Sequence, residues 1–187
     1  MSAIGPPESG PRFHISGAAV ADQRRGDLSR TEARGWLEAE APVSSLGREF
    51  LAYWHDKCPD PATGGFPTRA EIVPEEILKL LPYVFMIDVL GEGAEQDFRF
   101  RLVGTAIVDI EGEHTGKLLS DMFPDREAYA VLWRQYHDAA AGKVWVRHET
   151  LGWQGRDHVN YEVILAPLQD EQGRVTILIG LAHAPQG

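Results

Sequence analysis

YVFMIDVLGEGAEQDFRFRLVG, residues 83–104, places two runs of β-branched and aromatic residues on either side of a glycine-containing loop. YVFMIDVL (83–90) and DFRFRLVG (97–104) read as strands, and GEGAEQ (91–96) has the composition of a hairpin connection. Side chains alternate across a strand, so Phe98, Phe100 and Leu102 are expected on one face and Arg99 and Arg101 on the other. The pattern predicts a hairpin with an apolar side that needs covering.

Upstream, SSLGREFLAYWHDKC (44–58) carries Leu46, Phe50, Tyr53 and Trp54 at helical spacing, with a serine cap in front and Pro59 behind. This amphipathic helix is expected to dock on the body of the domain, with the alternative that its aromatic stripe is a self-association face, and both can hold together. A Pro/Gly-rich loop at 59–67 follows, and VPEEILKLLP (73–82) predicts a short helix opened by Pro74 and ended by Pro82. Residues 1–40 are rich in Gly and Pro and poor in large apolar groups, which predicts a flexible tail, with a short helix at 31–40 around Trp36 and Leu37.

Downstream, TAIVDI (105–110) and KLLSDMF (117–123) are short helical pieces separated by the loop EGEHTG. REAYAVLWRQYHDAAAG (126–142) is a longer helix with Tyr129, Leu132, Trp133 and Tyr136 on one stripe and Gly142 at its end. Three strand-like runs complete the chain: KVWVRHETLGW (143–153), RDHVNYEVILAPL (156–168) and RVTILIGLAH (174–183). Two strands, short helices, one long helix and three strands predict an α+β domain with an antiparallel sheet.

The 187 residues suit one domain and a tail, and 43% hydrophobic with 25% charged content is that of a globular chain. Eighteen basic against 28 acidic residues give a formal charge of −10, which opposes contact with nucleic acid or anionic membranes. A single cysteine, Cys58, permits no internal disulfide, and neither a signal peptide nor an apolar membrane span is readable, so a cytoplasmic location is expected.

The segments ILKLLPYVFMIDVL (77–90), DFRFRLVGTAIVDIEGEHTGKLLSDMF (97–123) and YEVILAPLQDEQG (161–173) resemble the PAS domain superfamily. The likeness is to a bacterial subfamily of short, PAS-only proteins first catalogued as domains of unknown function, and it is strongest at RLVGT (101–105) and HTGK (114–117). It covers residues 45–184, with 45–58 as a flanking helix. It implies a PAS-like five-stranded antiparallel sheet, with the short helices and the long connecting helix on one face and an N-terminal helical extension. It also implies a sensory or adaptor module that signals to a partner protein in trans, commonly as a homodimer, for which Leu46, Phe50, Tyr53 and Trp54 are the candidate interface.

Such a fold leaves a pocket between the sheet and the helices. Arg101 is a candidate clamp for an anionic ligand there, against the alternative of a solvated outer face or a salt bridge. Tyr129, Trp133 and Tyr136 are candidate lining residues, against the alternative of simple core, and Tyr161, His148 and Asn160 are candidate polar contacts. No cofactor is named by the sequence. His114, His137, His148, His158 and His183 lack the spacing of a zinc motif, and haem held by one histidine leaves no spacing signature. Cys58-Pro59 resembles the Cys-Pro dipeptide of haem-responsive segments, but two residues recur by chance in many proteins, and a cysteine at a helix end before a stopping proline is the favoured reading.

No catalytic motif is found, and His137 and Asp138, being about 100° apart on a helix, do not form a dyad. The rival readings are an enzyme on a cone-shaped α+β barrel using an Asp/His pair, and an interaction domain whose core is filled by its own side chains.

Overall fold

The computed structural model describes residue 42 and residues 44–59, 65–122, 126–151 and 156–184. The tail and the helix expected at 31–40 lie outside the described residues.

The sequence builds α1 (Ser45–Asp56), β1 (Val84–Leu90), β2 (Asp97–Val103), α2 (Thr105–Glu111), α3 (Leu119–Met122), α4 (Arg126–Ala140), β3 (Trp145–Leu151), β4 (Arg156–Gln169) and β5 (Val175–His183). All five strands form one sheet in the order β2-β1-β5-β4-β3, with every neighbouring pair antiparallel. The two end strands are β2 and β3, so the sheet is open, unlike the barrel of the rival enzyme reading.

Local chemistry sets several boundaries. The Ser44 hydroxyl accepts the Gly47 amide at 2.8 Å, which satisfies one of the free donors at the start of α1. Asp170 accepts the amides of Gln172 and Arg174 and thereby closes the β4–β5 turn. In the HTGK stretch Gly116 has φ +85°, a conformation that disfavours any side chain, and its amide donates to the Phe100 carbonyl at 2.7 Å. The Phe100 amide donates in return to the Lys117 carbonyl at 3.0 Å, so this loop covers part of the outer edge of β2.

Two expectations are corrected. The helix expected over 73–82 is a pair of 3₁₀ turns, Pro74–Glu76 and Leu81–Tyr83, because Ile77 at φ −124°, ψ 30° interrupts the helical repeat and Pro82 lacks the amide that would extend it. Leu102 does not share a face with Phe98 and Phe100. A bulge pairs Met86 with Leu102 but Ile87 with Phe100, leaving Arg101 as the extra residue, and the parity of β2 changes there.

The sheet is covered on both sides. Its inner face carries Phe85, Ile87, Phe98, Phe100, Tyr161, Val163, Leu165 and Leu178, packed with Ile107 of α2, Leu119 of α3, and Tyr136 and Ala139 of α4. Its outer face carries Val84, Met86, Val146, Ile164, Ala166, Leu168, Ile179 and Leu181, packed with Phe50, Leu51 and Trp54 of α1. Phe50 has no exposed surface, and Trp54 donates through Nε1 to the Pro167 carbonyl at 3.0 Å. Tyr53 accepts the Val73 amide at 2.8 Å, and Leu46 packs at the margin of the same cluster.

The docking expected of the aromatic stripe on the body of the domain is observed, with Phe50 and Trp54 packed on the chain's own sheet. Gly47 permits the close approach, since a methyl group there would overlap the Glu162 carboxylate. Among the described residues no helix is long and apolar enough to cross a membrane.

Candidate functional site

The inner face gathers four of the residues singled out from sequence. The stripe of α4 lies over the sheet, with the Tyr136 ring 5.3 Å from Phe98 and 6.5 Å from Phe100. Trp133 stacks on His137 at 4.6 Å, and both are fixed by Gln96 in the β1–β2 connection. Trp133 Nε1 donates to the Gln96 carbonyl at 2.7 Å, and His137 Nδ1 pairs with Gln96 Oε1 at 2.8 Å. Burial first, and then the Asp97 carboxylate, raise the Tyr129 phenol above its ordinary value. Tyr161 on β4 is only 2% exposed, and its hydroxyl donates to Glu111 at the end of α2.

Around these residues Val89, Val103, Ile110, Met122 and Leu132 are only partly buried against the inner cluster. Trp145 faces the same cluster, and its Nε1 is buried without a hydrogen-bond partner among the described residues. A buried donor left unpaired costs about 1–3 kcal/mol, and a bound acceptor would recover that energy.

Arg101 and His148 do not join this group, which corrects the expectation that they line one pocket with the α4 aromatics. Both lie on the outer face. Arg101 Nε donates to Asp88 Oδ1 at 2.6 Å, and Arg99 donates to Asp88 Oδ2 through Nε at 3.2 Å and Nη2 at 2.9 Å. Asp88 alternates with the inward Ile87 and Val89, so the salt bridge weighed as the alternative for Arg101 is the arrangement found.

His148, Glu162 and His183 form a row across β3, β4 and β5, because Glu162 is the register partner of both histidines. His148 Nε2 lies 3.8 Å from one Glu162 oxygen and His183 Nε2 lies 3.7 Å from the other. The Ser44 hydroxyl donates to the same carboxylate, and the Ser44 amide lies 3.3 Å from it. Glu162 therefore fastens the start of α1 to the sheet. The side chains of Asn160 and His158 fall outside the described positions.

His114 and Cys58 also have shifted protonation. Burial, followed by the charge of Lys117, lowers His114 below the usual 6.5. The unfolded chain therefore takes up this proton first, so the contribution of His114 is neutral at high pH and destabilising as pH falls through 6.5. An NMR titration is expected to give a His114 midpoint below 6.5, and a midpoint at or above that value would contradict its burial.

Cys58 is pushed up to about 11 by burial, with a smaller part from Glu71. A thiol held protonated is a poor thiolate ligand, which weighs against the haem-responsive reading of Cys58-Pro59. Alkylation of Cys58 at pH 8 is expected to be about a hundredfold slower than for an unperturbed cysteine, and a rate equal to that of free cysteine would show the side chain to be open.

The open antiparallel sheet, with α2, α3 and α4 packed on its inner face and α1 on its outer face, defines a small α+β domain. The model of the PAS domain family matches residues 43–183, and the chain belongs to that family. The curated proteins include no match to the chain.

Among solved structures it is similar to a light-oxygen-voltage domain studied with a flavin analogue, at 13% identity and TM-score 0.38, over 60% of this chain and 83% of that one. It is also similar to an RNA-binding light-oxygen-voltage receptor, at 17% identity and TM-score 0.38, over 63% of this chain and 35% of that one.

Proposed function

We propose that this PAS domain is a sensor or adaptor that binds a small molecule between α4 and the inner face of the sheet and regulates a partner protein in trans. The observation that carries the reading is the inner face itself, where Tyr129, Trp133, Tyr136 and Tyr161 join one cluster with partly buried apolar side chains and with Trp145, whose Nε1 has no hydrogen-bond partner among the described residues. Those groups fit a ligand with an apolar body and a hydrogen-bond acceptor.

The ligand would shift the domain only by its differential affinity for two states. The α4 aromatics are tied to the β1–β2 connection through Gln96, which couples occupancy of the pocket to one edge of the sheet. The reading is non-catalytic and cytoplasmic, since no motif that forms or breaks bonds is present and the formal charge of −10 opposes anionic surfaces.

A homodimer belongs to the same proposal. Phe50 and Trp54 are already buried against the sheet, so a second copy meeting α1 would use its exposed positions, such as Arg48, Glu49 and Ala52. Size-exclusion chromatography with light scattering reads the outcome, and a monomer at all concentrations would remove the dimer from the proposal.

A thermal-shift screen against a metabolite panel tests ligand binding. Stabilisation by at least one compound is expected in the wild type and is expected to fall about tenfold in apparent affinity in Tyr136→Ala, the consequence of losing a buried aromatic contact. No stabilisation by any compound would favour a core filled by its own side chains.

A further inference from the structure

The outer face of β2 differs from the rest of the sheet surface. Asp88 is nearly buried, and two guanidinium groups converge on its single carboxylate, which leaves one positive charge over. The side chains of Arg99 and Arg101 are 48% and 49% exposed, so each presents a flank to solvent while Asp88 holds the other in place. Arg101 uses only its Nε on Asp88, and its two Nη groups make no hydrogen bond among the described residues.

The bulge adds a third element. By displacing the parity at Arg101 it brings Leu102 opposite Met86, an outer-face residue, where Leu102 stands 46% exposed. Two pre-positioned forks beside an exposed leucine form a mixed cationic and apolar patch on a chain of formal charge −10. Arginine held in a fixed orientation recognises carboxylates through paired hydrogen bonds.

The geometry points to this patch, Arg99, Arg101 and Leu102 over Asp88, as a docking site for an acidic segment of a partner protein that carries an apolar side chain next to its carboxylates. A polyanion such as nucleic acid would face the repulsion of the remaining surface, whereas a short acidic segment need meet only the patch. The edge of β2 at Phe100 is occupied by Gly116 and Lys117, so the segment would lie on the face of the strand and not extend the sheet. This inference rests on the proposed output in trans and names the surface that delivers it.

The test titrates the isotope-labelled full chain with a short synthetic peptide alternating Glu and Leu, beside its Gln-for-Glu counterpart, and follows the Arg99 and Arg101 Nε–H and Leu102 amide resonances. Shifts with the Glu peptide and none with the Gln peptide are expected. Leu102→Asp leaves both arginines on Asp88 and is expected to keep the wild-type melting temperature while weakening the Glu peptide about tenfold or more. Absent shifts, equal shifts with the Gln peptide, or unchanged affinity in Leu102→Asp would each overturn the inference.

The thermal-shift panel is run on the wild-type chain in parallel. A pocket response with no peptide binding in the wild type overturns the docking site alone. Peptide binding with no pocket response overturns the small-molecule reading alone.

Discussion

Phe50→Ala is expected to lower the unfolding free energy by about 3–5 kcal/mol, the range for truncating a buried phenylalanine. Phe50 is fully enclosed in the outer-face cluster with Leu51, Trp54 and Ile164, so the deletion removes apolar contact and leaves a cavity between α1 and the sheet. Urea unfolding followed by circular dichroism reads the change through linear extrapolation. Glu49→Ala, on the exposed side of the same helix, is the control and is expected to change stability by no more than about 0.5 kcal/mol. Equal effects from the two substitutions would mean that α1 does not dock on the sheet.

Glu162→Ala is expected to weaken the same attachment from its polar end. Glu162 is 1% exposed, accepts from the Ser44 hydroxyl and stands between His148 and His183. Removing it strands buried donors at the start of α1, at about 1–3 kcal/mol for each group left without an acceptor. Glu162→Gln keeps an acceptor for Ser44 and is expected to lose less. Hydrogen exchange of the α1 amides separates this effect from global unfolding, since the first turn should exchange faster in Glu162→Ala while the amides of β5 change only with overall stability. Equal protection in the alanine and glutamine variants would contradict the role of the carboxylate.

Both substitutions probe a layer whose partner the sequence partly disclosed. β4 and β5 contain EVILAPL and TILIGLA, which do not alternate apolar with polar residues. Strands read this way when both faces are covered, and α1 supplies the second cover. The strands, α2, α3 and α4 were legible from period and from turn residues because the helices have one apolar stripe and the start of β2 alternates Phe98 and Phe100 with Arg99 and Arg101. The helix expected at 73–82 failed because composition alone does not distinguish one continuous helix from two 3₁₀ turns broken at Ile77.

The site was legible in its aromatic part and not in its polar part. Tyr129, Trp133 and Tyr136 follow from helical spacing, and the opposite parity of Arg101 and Phe100 already places the arginine outside any pocket lined by Phe98 and Phe100. What spacing could not provide are the partners that fix these groups. Gln96 meets Trp133 across 37 residues, Glu111 meets Tyr161 across 50, and Ser44 meets Glu162 across 118. Such pairs are set by how the layers pack. Leu102 was misassigned because nothing within DFRFRLV marks the bulge that reverses its side.

Native mass spectrometry of the freshly purified full chain, compared with the same sample after denaturation, tests most directly whether the inner face binds a small molecule. The expected result is a species heavier than the polypeptide that loses its excess mass on unfolding and is depleted in Tyr136→Ala. A single species at the polypeptide mass in both states, unchanged after incubation with the metabolite panel, would contradict it.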